Sequence, residues 1–213
     1  LFIKGSGAGS FYDIPISVMK SDPEKGQIHI AVKIISTKTK ALLAEKEKLS
    51  VRGLYRNGVH GITSINNKRG KNQKTLIIAK GIGIAPGILA AQALRRKGSV
   101  DMVVDTEKIS EALIEDYLEE PKAVQYLSLS DKDAESRLIQ LMKEGQYDNV
   151  ILLVSDYYIE TLGRIIRKTL PDADLAVSNN FRLCCGEGVC GSCTVDTAAG
   201  ETIKMCKCQM KGE

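Results

Sequence analysis

The sequence predicts a multi-domain α+β protein in which a partial antiparallel β-barrel is followed by a parallel α/β sheet and a small cysteine-rich segment. Three observations lead to this fold class. Short β-prone runs fill the first third of the chain, strands and helices alternate through the middle, and all six cysteines lie within residues 184–208. A chain of 213 residues is long enough for two or three small domains. The predicted domains are 1–66, 75–178 and 179–213.

The first unit is predicted to be a β-barrel because its apolar runs are short and separated by turns. These runs are Leu1–Lys4, Ile14–Met19, Gln27–Ile35 and Lys48–Arg52. Clusters rich in Gly, Ser and Pro lie between them, as in antiparallel barrels. The sequence starts directly in a strand-like run and without methionine, so we expect further N-terminal strands to precede it. The basic, polar stretch 66–74 is predicted to be a linker.

The second unit is predicted to be an α/β sheet because strand-like and helix-like patterns alternate. The predicted strands are Thr75–Ala79, Val100–Asp105, Ala123–Ser130, Asn149–Ser155 and Asp174–Ser178, and the predicted helices are Ala85–Lys97, Lys108–Glu119, Asp133–Glu144 and Tyr158–Leu170. Gly98 and Gly145 are expected to be helix C-caps, and Pro121 and Pro171 to end the other two helices. This alternation predicts a parallel sheet with helices on both faces.

A glycine-rich turn, Gly81-Ile-Gly83, joins the first strand of this unit to its first helix. Glycines at such a junction let a pyrophosphate meet backbone N–H groups and a helix N-terminus. Because the turn is not a full G-x-G-x-x-G motif, tight packing alone is an open alternative. Asp105 ends the second strand, where a carboxylate can accept from the ribose 2′-OH of NAD and repel the 2′-phosphate of NADP. It can equally cap the helix that follows.

The cysteines form the most specific motif. Cys185, Cys190 and Cys193 have the C-x4-C-x2-C spacing of a plant-type [2Fe–2S] loop, and Cys206 or Cys208 is available as the fourth ligand, with Cys206 favoured. Two irons bridged by two sulfides need four thiolates close together, so three must come from one tight loop. Glycines in that loop let the backbone curl around a cluster and direct N–H groups at its sulfurs. The motif therefore predicts a one-electron redox protein.

Six cysteines can also form disulfides or bind structural zinc. Disulfide frameworks are typical of small secreted domains, whereas Cys184 is the first cysteine of this long chain. Zinc is the stronger alternative, since Cys190-x2-Cys193 and Cys206-x-Cys208 together supply four thiolates. Zinc does not explain the glycines around Cys185, so the cluster is favoured. Cys184 is out of register with the cluster motif by one residue.

Composition excludes several functional classes. Thirty basic and 26 acidic residues give a net charge of +4, which is too small to argue for nucleic-acid binding. No apolar run reaches 18 residues, so we expect no membrane insertion. Reduced cysteines predict a reducing compartment and hence a cytoplasmic protein. The only histidines, His29 in a strand and His60 in a glycine-bordered turn, are expected to be structural. No Ser–His–Asp, Cys–His or paired-carboxylate pattern indicates hydrolysis.

The three modules in this order resemble the electron-transfer subunit of dihydroorotate dehydrogenase type B, within the ferredoxin–NADP reductase superfamily. Looser similarity extends to the small subunits of sulfide dehydrogenase and of transhydrogenase-type complexes. The motifs that carry the resemblance are Cys185–Cys193, Gly81–Pro86, Asp13–Ser17 and Gly53–Gly58. The resemblance implies that the barrel binds FAD, that the α/β domain binds NAD(H), and that a [2Fe–2S] cluster passes electrons to a partner, a catalytic oxidoreductase subunit.

The resemblance also implies flavin contacts in the first unit. The family's Arg-Pro-x-Ser motif falls on 14–17, where Ile14 replaces the arginine. The next flavin strand falls on 32–34, and the Gly-Thr phosphate turn falls on 38–39. Lys33 or Lys38 can supply the missing positive charge to the pyrophosphate. Both lysines can also be simply solvated. The implied flavin-binding residues are Pro15, Ile16, Ser17, Lys33, Ile34, Lys38 and Thr39.

The nicotinamide half departs further from the family. The family's Gly-Gly pair is Lys80-Gly81 here, and its Cys-Gly-Pro segment falls on 154–158. Tyr157 or Tyr158 then stands where the nicotinamide ring is expected to stack. The implied nucleotide-binding residues are Gly81, Gly83 and Asp105, with NAD expected over NADP.

The implied function is that of an NADH-dependent flavin and iron–sulfur electron-transfer component of an oxidoreductase, catalytic with a partner subunit. Two alternatives remain open at the level of the sequence. One is a non-catalytic relay or assembly subunit with a degenerate nicotinamide site. The other is a zinc-stabilised interaction module.

Overall fold

The computed structural model of this protein describes residues 1–5, 13–44, 48–55, 57–67, 72–107, 109–118 and 120–208. They form a mixed α/β fold with two small antiparallel sheets, a six-stranded sheet and a C-terminal hairpin, in the order along the chain that the sequence predicts. None of the helices in these ranges combines the length and apolar character needed to cross a bilayer.

The antiparallel part consists of two separate, barrel-like sheets. Strand β1 (Phe2–Gly5) is central in the first, between β2 (Ile14–Pro15) and β5 (Leu49–Arg52). Strands β3 (Val18–Asp22) and β4 (Gln27–Ile30) form the second as a hairpin. Successive side chains of a strand point to opposite faces. Phe2 and Ile3 are each only 2% exposed. Strand β1 is therefore covered on both faces.

Two predicted strands are shorter than expected. The run Ile14–Met19 is divided into β2 and β3, and the run Gln27–Ile35 leaves the sheet after Ile30. The first interruption follows Pro15, which has no N–H to donate to a ladder. The chain beyond it is still held near β1, because the N–H of Ile16 donates to the carbonyl of Leu1 at 2.9 Å.

Helix α1 (Thr37–Ala44) explains why the second run ends early. The N–H of Ser36 donates to Thr39 Oγ1 at 3.0 Å, and the N–H of Thr39 donates to Ser36 Oγ at 3.3 Å. This reciprocal pair has the geometry of a capping box, which starts a helix by satisfying its free N–H groups. The β-prone residues before it cannot continue as a strand once the helix has begun.

The six-stranded sheet has the strand order β6-β11-β10-β7-β8-β9 and is parallel except for β6 at its edge. Its strands are β6 (Val59–His60), β7 (Gln73–Lys80), β8 (Gly98–Asp105), β9 (Val124–Tyr126), β10 (Asn149–Leu153) and β11 (Asp174–Ser178). The five parallel strands follow the doubly wound order, in which the first and fourth strands lie side by side. The predicted strand Ala123–Ser130 is shorter because Leu129 leaves the sheet to donate its N–H to Asp105.

Helices cover both faces of this sheet, as predicted. They are α2 (Ile62–Asn67), α3 (Ile84–Leu94), α4 (Glu111–Glu115), α5 (Ala134–Gly145) and α6 (Asp156–Thr169), with 3-10 turns at Gly81–Gly83 and Pro121–Ala123. One core packs α5 and α6 against the sheet, and the other packs α2, α3 and α4 against the opposite face. Every residue of β10 is buried, which is typical of a parallel strand covered on both sides.

Details of the helix ends differ from expectation. Gly145 is the last residue of α5, and Gln146 is the left-handed C-cap with φ 48°. Gly98 is not a cap but opens β8, where a Cβ would lie 2.0 Å from the carbonyl oxygen of Gln73. The ends of the predicted helix 108–119 fall on residues outside the described ranges, and α4 forms its centre.

Residues 59–67 are built into the α/β part, although the sequence assigns them to the barrel. Strand β6 pairs with β11, and Ile65 of α2 is fully buried in the core beneath α3. The predicted linker 66–74 ends inside β7, since Gln73 and Lys74 pair with β8; residues 68–71 lie outside the described ranges. The chain thus enters the sheet at its edge before it forms the central strand.

The cysteine segment, residues 179–208, has a small core of its own. Strands β12 (Thr194–Asp196) and β13 (Thr202–Lys204) form a hairpin. Cys193, Met205 and Cys206 are buried at 2–3% exposure. Cysteine side chains therefore make up most of the interior of this segment.

Candidate functional site

A cavity of about 550 Å³ lies outside the carboxyl ends of β7 and β10. These two strands are the topological switch point of the sheet, the place where open α/β sheets bind ligands. The antiparallel part closes the cavity on its other side, so both units contribute to one surface. The predicted site residues on this surface are Pro15, Ile16, Ser17, Lys33, Thr39, Gly81 and Gly83.

A larger cavity of about 1120 Å³ continues along the carboxyl ends of β7, β8 and β9. Asp105 lines this second cavity, together with Tyr117 and Tyr126. Both cavities share Lys33 and Glu107 in their linings. The two cavities therefore adjoin each other along the carboxyl ends of the parallel strands.

Two predicted flavin contacts lie elsewhere. Ile34 is 50% exposed and lines neither cavity. Lys38 also lines neither cavity. It is exposed on α1, where its positive charge acts to lower the pKa of the Cys184 thiol. Thr39 does line the smaller cavity, but its hydroxyl already serves the capping box and donates to the carbonyl of Ser36 at 3.0 Å.

Each glycine of the turn is needed for a physical reason, conformation at Gly81 and close packing at Gly83. Gly81 has φ 53°, a left-handed conformation that favours glycine. Gly83 has an ordinary helical φ of −61°, but a Cβ there would lie 2.0 Å from the carbonyl oxygen of Leu153. The turn therefore meets the end of β10 at a distance that only glycine allows.

Four charged side chains form a network beside this turn. Lys80 contacts the carboxylate of Asp105 and lies 3.9 Å from Glu107 Oε1. Lys33, from the antiparallel part, reaches Glu107 Oε2 at 3.3 Å. Glu107 thus joins the two units of the chain by ion pairs.

Asp105 is committed to this network. It is 5% exposed and accepts from the N–H of Leu129 at 2.8 Å and from the N–H of Glu107 at 3.1 Å, in addition to Lys80. Burial raises the pKa of a carboxyl group, but here the hydrogen bonds and the nearby ammonium outweigh it and hold the pKa of Asp105 below its ordinary value. The carboxylate is ionised and its oxygens are occupied by groups of the protein itself.

Tyr157 and Tyr158 do not fill the switch-point cavity. Residues 153–156 line the cavity on this side. Tyr157 is 68% exposed, and its ring packs edge-on against that of Tyr158 at 5.2 Å between centroids. Tyr158 packs against the core beneath α6 and lies 5.5 Å from the Lys80 ammonium. Neither ring therefore lies in the lining of that cavity.

The cysteine side chains lie close to one another in two groups. Cys190 is a neighbour of both Cys184 and Cys185, and Cys193 is a neighbour of Cys206. Across the described part of the chain, no group of three or more His, Cys, Asp or Glu side chains is arranged to hold a metal ion. Cys208 packs against the small core of Cys193, Met205 and Cys206, with its thiol 3.6 Å from Met205 Sδ.

Backbone N–H groups point at the cysteine sulfurs. The N–H of Glu187 donates to Cys185 Sγ at 3.3 Å, and the N–H of Cys206 donates to Cys193 Sγ at 3.4 Å. Hydrogen bonds from the backbone of Cys190, Glu187 and Val189 lower the pKa of Cys185 to about 6. Three glycines make this loop possible through left-handed backbone conformations: Gly186, Gly188 and Gly191, with φ between 69° and 76°.

Arg52, at the end of β5, ties the cysteine loop to the antiparallel sheet. Its guanidinium donates to the carbonyl of Cys185 at 2.8 Å, to Glu187 Oε1 at 2.6 Å and to Asp13 Oδ2 at 2.9 Å. It also lies over the Phe2 ring at 4.9 Å. Since 133 residues separate Arg52 from Cys185, the sequence offers no local signal for this contact.

Other polar side chains support the same segment. The Glu187 carboxylate also accepts from Tyr55 and from Lys207, which together lower its pKa. Asn57 donates to the carbonyl of Cys206, and Asn179 donates to the carbonyl of Asn57 at 2.9 Å. Asn57 falls within the motif Gly53–Gly58. The sequence did not predict that this motif contacts the cysteine segment.

Neither histidine lines either of the two cavities. His29 in β4 contacts the hydroxyl of Tyr117 at 3.4 Å. His60 lies in edge strand β6 rather than in a turn, and burial lowers its pKa.

No protein-family model matches the chain. Its fold is similar to a solved structure of an NADH-dependent reduced ferredoxin–NADP oxidoreductase, studied for flavin-based electron bifurcation, with a TM-score of 0.67 and 18% identity over 96% of this chain and 74% of the other. It is also similar to an intact type IV self-sufficient cytochrome P450 monooxygenase, with a TM-score of 0.63 and 15% identity over 98% of this chain. A third match is full-length CYP116B46 from Tepidiphilus thermophilus, with a TM-score of 0.54 and 16% identity over 93% of this chain.

The chain spans only 35% of the length of each of the two P450 structures. At these identities the similarity concerns the fold. Over nearly its whole length, this chain therefore has the fold of the NADH-dependent ferredoxin–NADP oxidoreductase.

Proposed function

We propose that this chain is a flavin and iron–sulfur electron-transfer subunit, which connects NAD(H) through FAD and a [2Fe–2S] cluster to a partner oxidoreductase subunit. The electron-transfer subunit of dihydroorotate dehydrogenase type B is the protein that its motifs resemble most. The observation that carries the proposal is the cavity at the switch point. It joins five of the seven predicted flavin contacts to both glycines of the nucleotide turn.

The cavity surfaces suit the proposed cofactors. A flavin would lie against Pro15–Ser17 in the smaller cavity, and a pyridine nucleotide would extend along the larger one, past Asp105. Lys33 is the cation available to a pyrophosphate, in place of the arginine that Ile14 replaces. When bound, the flavin exchanges an electron pair with the nicotinamide and single electrons with the cluster, which is chemistry that the cofactors supply.

The protein's own residues would position and shield these groups. The carboxyl ends of β7 and β10 hold the turn at Gly81 and Gly83 rigidly, because β10 is buried throughout and Gly83 meets Leu153 directly. Apolar side chains from both units, including Val32, exclude water from the interior of the cavity. Rigid placement of this kind fixes the distance and orientation between bound groups.

The four proposed cluster ligands are Cys185, Cys190, Cys193 and Cys206. Cys185 lies beside Cys190 and Cys193 lies beside Cys206, and the C-x4-C-x2-C spacing supports a two-iron cluster over a single zinc ion. The N–H groups directed at Cys185 and Cys193 are the kind of donors that stabilise thiolate and tune a cluster's potential. The N–H of Cys206 donates to Cys193 Sγ at 3.4 Å, and this proximity supports Cys206 as the fourth ligand.

Anaerobic reconstitution tests the whole proposal. The chain is incubated with FAD, iron and sulfide, and then titrated with NADH. We expect bound flavin, visible iron–sulfur absorption and bleaching of both by NADH. A protein that takes up stoichiometric zinc without iron, or that binds no flavin, contradicts the proposal.

A relay subunit without nucleotide oxidation is the second candidate, and one observation favours it. The carboxylate of Glu107 lies at the glycine turn, where a pyrophosphate would approach. If this repulsion prevents nucleotide binding, the chain would carry flavin and cluster but respond to dithionite and not to NADH. The same titration distinguishes the two candidates when both reductants are used in turn.

A further inference from the structure

Glu107 occupies the place at the glycine turn that an anionic ligand needs. A Cβ on Gly81 would lie 2.8 Å from Glu107 Oε2 and 3.1 Å from its Cδ. The open side of this left-handed glycine is therefore covered by a carboxylate of the chain itself. A phosphate directed at the same backbone would meet a like charge.

The same carboxylate holds the two cations that a phosphate would use. Lys33 lies 3.3 Å from one oxygen of Glu107, and Lys80 lies 3.9 Å from the other. Lys33 comes from the antiparallel part and Lys80 from the end of β7, so both cations converge on Glu107 from opposite walls. Glu107 lines both cavities and stands between them.

The backbone at Glu107 is held in a conformation that non-glycine residues rarely adopt. Its φ is 54°, a left-handed conformation that is unfavourable for a residue with a Cβ. Its N–H donates to Asp105 Oδ1 at 3.1 Å, so a buried carboxylate fixes this conformation. Backbone strain of this kind is concentrated at ligand sites and switches.

We infer that Glu107 determines nucleotide affinity by acting as an internal anion, which competes with a ligand pyrophosphate for Lys33, Lys80 and the backbone at Gly81. Asp105 is the positioning residue of this device, because it holds the Glu107 backbone and binds Lys80. Nucleotide binding then requires the Glu107 side chain to leave the turn. The side chain is 37% exposed, so it can move into solvent without unpacking a core.

This inference deepens the proposed function and rests on it for the class of ligand, a pyrophosphate-containing nucleotide. The test uses ADP, which carries the pyrophosphate but has no redox chemistry. Isothermal titration of the purified full chain with ADP compares the wild type with Glu107→Gln, which keeps the size and backbone conformation of residue 107. We expect ADP to bind Glu107→Gln about tenfold more tightly, a difference of about 1.4 kcal/mol.

Two further variants make the result specific. Glu111→Gln removes an equal charge from an exposed position in the lining of the larger cavity, and we expect less than a twofold change. Lys33→Ala should weaken ADP binding more in the Glu107→Gln background than in the wild type. Only in that background is Lys33 released from its ion pair with Glu107. A double-mutant cycle measures that coupling.

Equal or weaker ADP binding by Glu107→Gln overturns the inference, and so does an equal gain from Glu111→Gln. Flavin content, measured by absorbance on the same samples, separates this result from the proposed function. If the chain binds flavin but Glu107→Gln leaves its ADP affinity unchanged, only the role of Glu107 is contradicted. A chain that binds no flavin, yet binds ADP tenfold more tightly as Glu107→Gln, contradicts the proposed function and supports the inference.

Discussion

The switch-point cavity and the cysteine loop are built in opposite ways. The cavity lies at the end of β10, which is buried throughout, and its shape follows from backbone contacts such as that between Gly83 and Leu153. The cysteine loop is exposed, with Val189 at 82% exposure, and side chains from distant parts of the chain hold it in place. Main-chain packing tolerates no change of volume, whereas a side-chain network can lose members one at a time. The two regions should therefore respond differently to substitution.

The largest expected effect is at the cysteine loop, where one thiolate is needed for each coordination position. Serine at Cys185, Cys190 or Cys193 should abolish iron–sulfur absorption after reconstitution, because four thiolates are required. Cys184→Ser is the matched control, adjacent in sequence, and should leave the absorption largely intact. The assignment of Cys206 is contradicted if Cys208→Ser loses the cluster and Cys206→Ser keeps it.

The next effect concerns the cavity and needs no cofactor. Gly83→Ala places a methyl group 2.0 Å from the carbonyl oxygen of Leu153, and a backbone atom cannot move aside as a side chain can. We expect the free energy of unfolding to fall by about 3 kcal/mol, at the upper end of overpacking effects. Chemical denaturation of the apoprotein measures it.

Gly163→Ala is the control for this substitution. Gly163 lies inside α6, and a Cβ there meets nothing within 4 Å. Alanine is the better helix former by about 1 kcal/mol, so this variant should be at least as stable as the wild type. Similar losses from both alanines would mean that the Gly83 contact does not constrain the turn.

These contrasts also show what the sequence could reveal. Strand β11 occurs where the alternating pattern predicts it, at Asp174–Ser178, because buried apolar runs between helices have few alternatives. Helix α1 was missed because two short polar side chains, Ser36 and Thr39, override the β-propensity before them. The spacing of the cysteines predicts a four-thiolate cluster, and this stays a prediction, since no group of three or more ligands among the described residues is arranged to hold a metal ion.

The supporting contacts were beyond sequence reasoning for a physical reason. Arg52 reaches a loop 133 residues away, and Glu107 meets Lys33 across 74 residues. No periodicity links such positions, and isolated charged residues are usually solvated. The left-handed φ of Glu107, a non-glycine residue, carries no composition signal either.

A smaller effect is expected at Asp105, and it depends on pH. A carboxylate whose folded-state pKa is lowered stabilises the fold above its unfolded pKa, about 4, and loses this contribution as the pH falls toward the folded value. Asp105→Asn should therefore cost about 2 kcal/mol at pH 7, where it leaves Lys80 without its buried partner. The difference from the wild type should shrink below pH 4 in urea denaturation. A difference that stays constant down to pH 3 would show that Asp105 acts through shape and not through charge.

The smallest effect is expected at Arg52, because its side chain is 40% exposed and exposed ion pairs contribute little. Arg52→Ala removes the contacts with Asp13, Glu187 and the Cys185 carbonyl together, but leaves the parallel sheet untouched. We expect amide hydrogen exchange in residues 183–191 to accelerate about fivefold, equivalent to about 1 kcal/mol of local opening, with little change in the thermal midpoint. Arg164→Ala, which removes an exposed ion pair on α6, should leave exchange in that loop unchanged. If exchange in the loop does not respond to Arg52→Ala, then the backbone and the small core around Cys193 hold it without the side-chain network, and the two regions are built more alike than their contacts indicate.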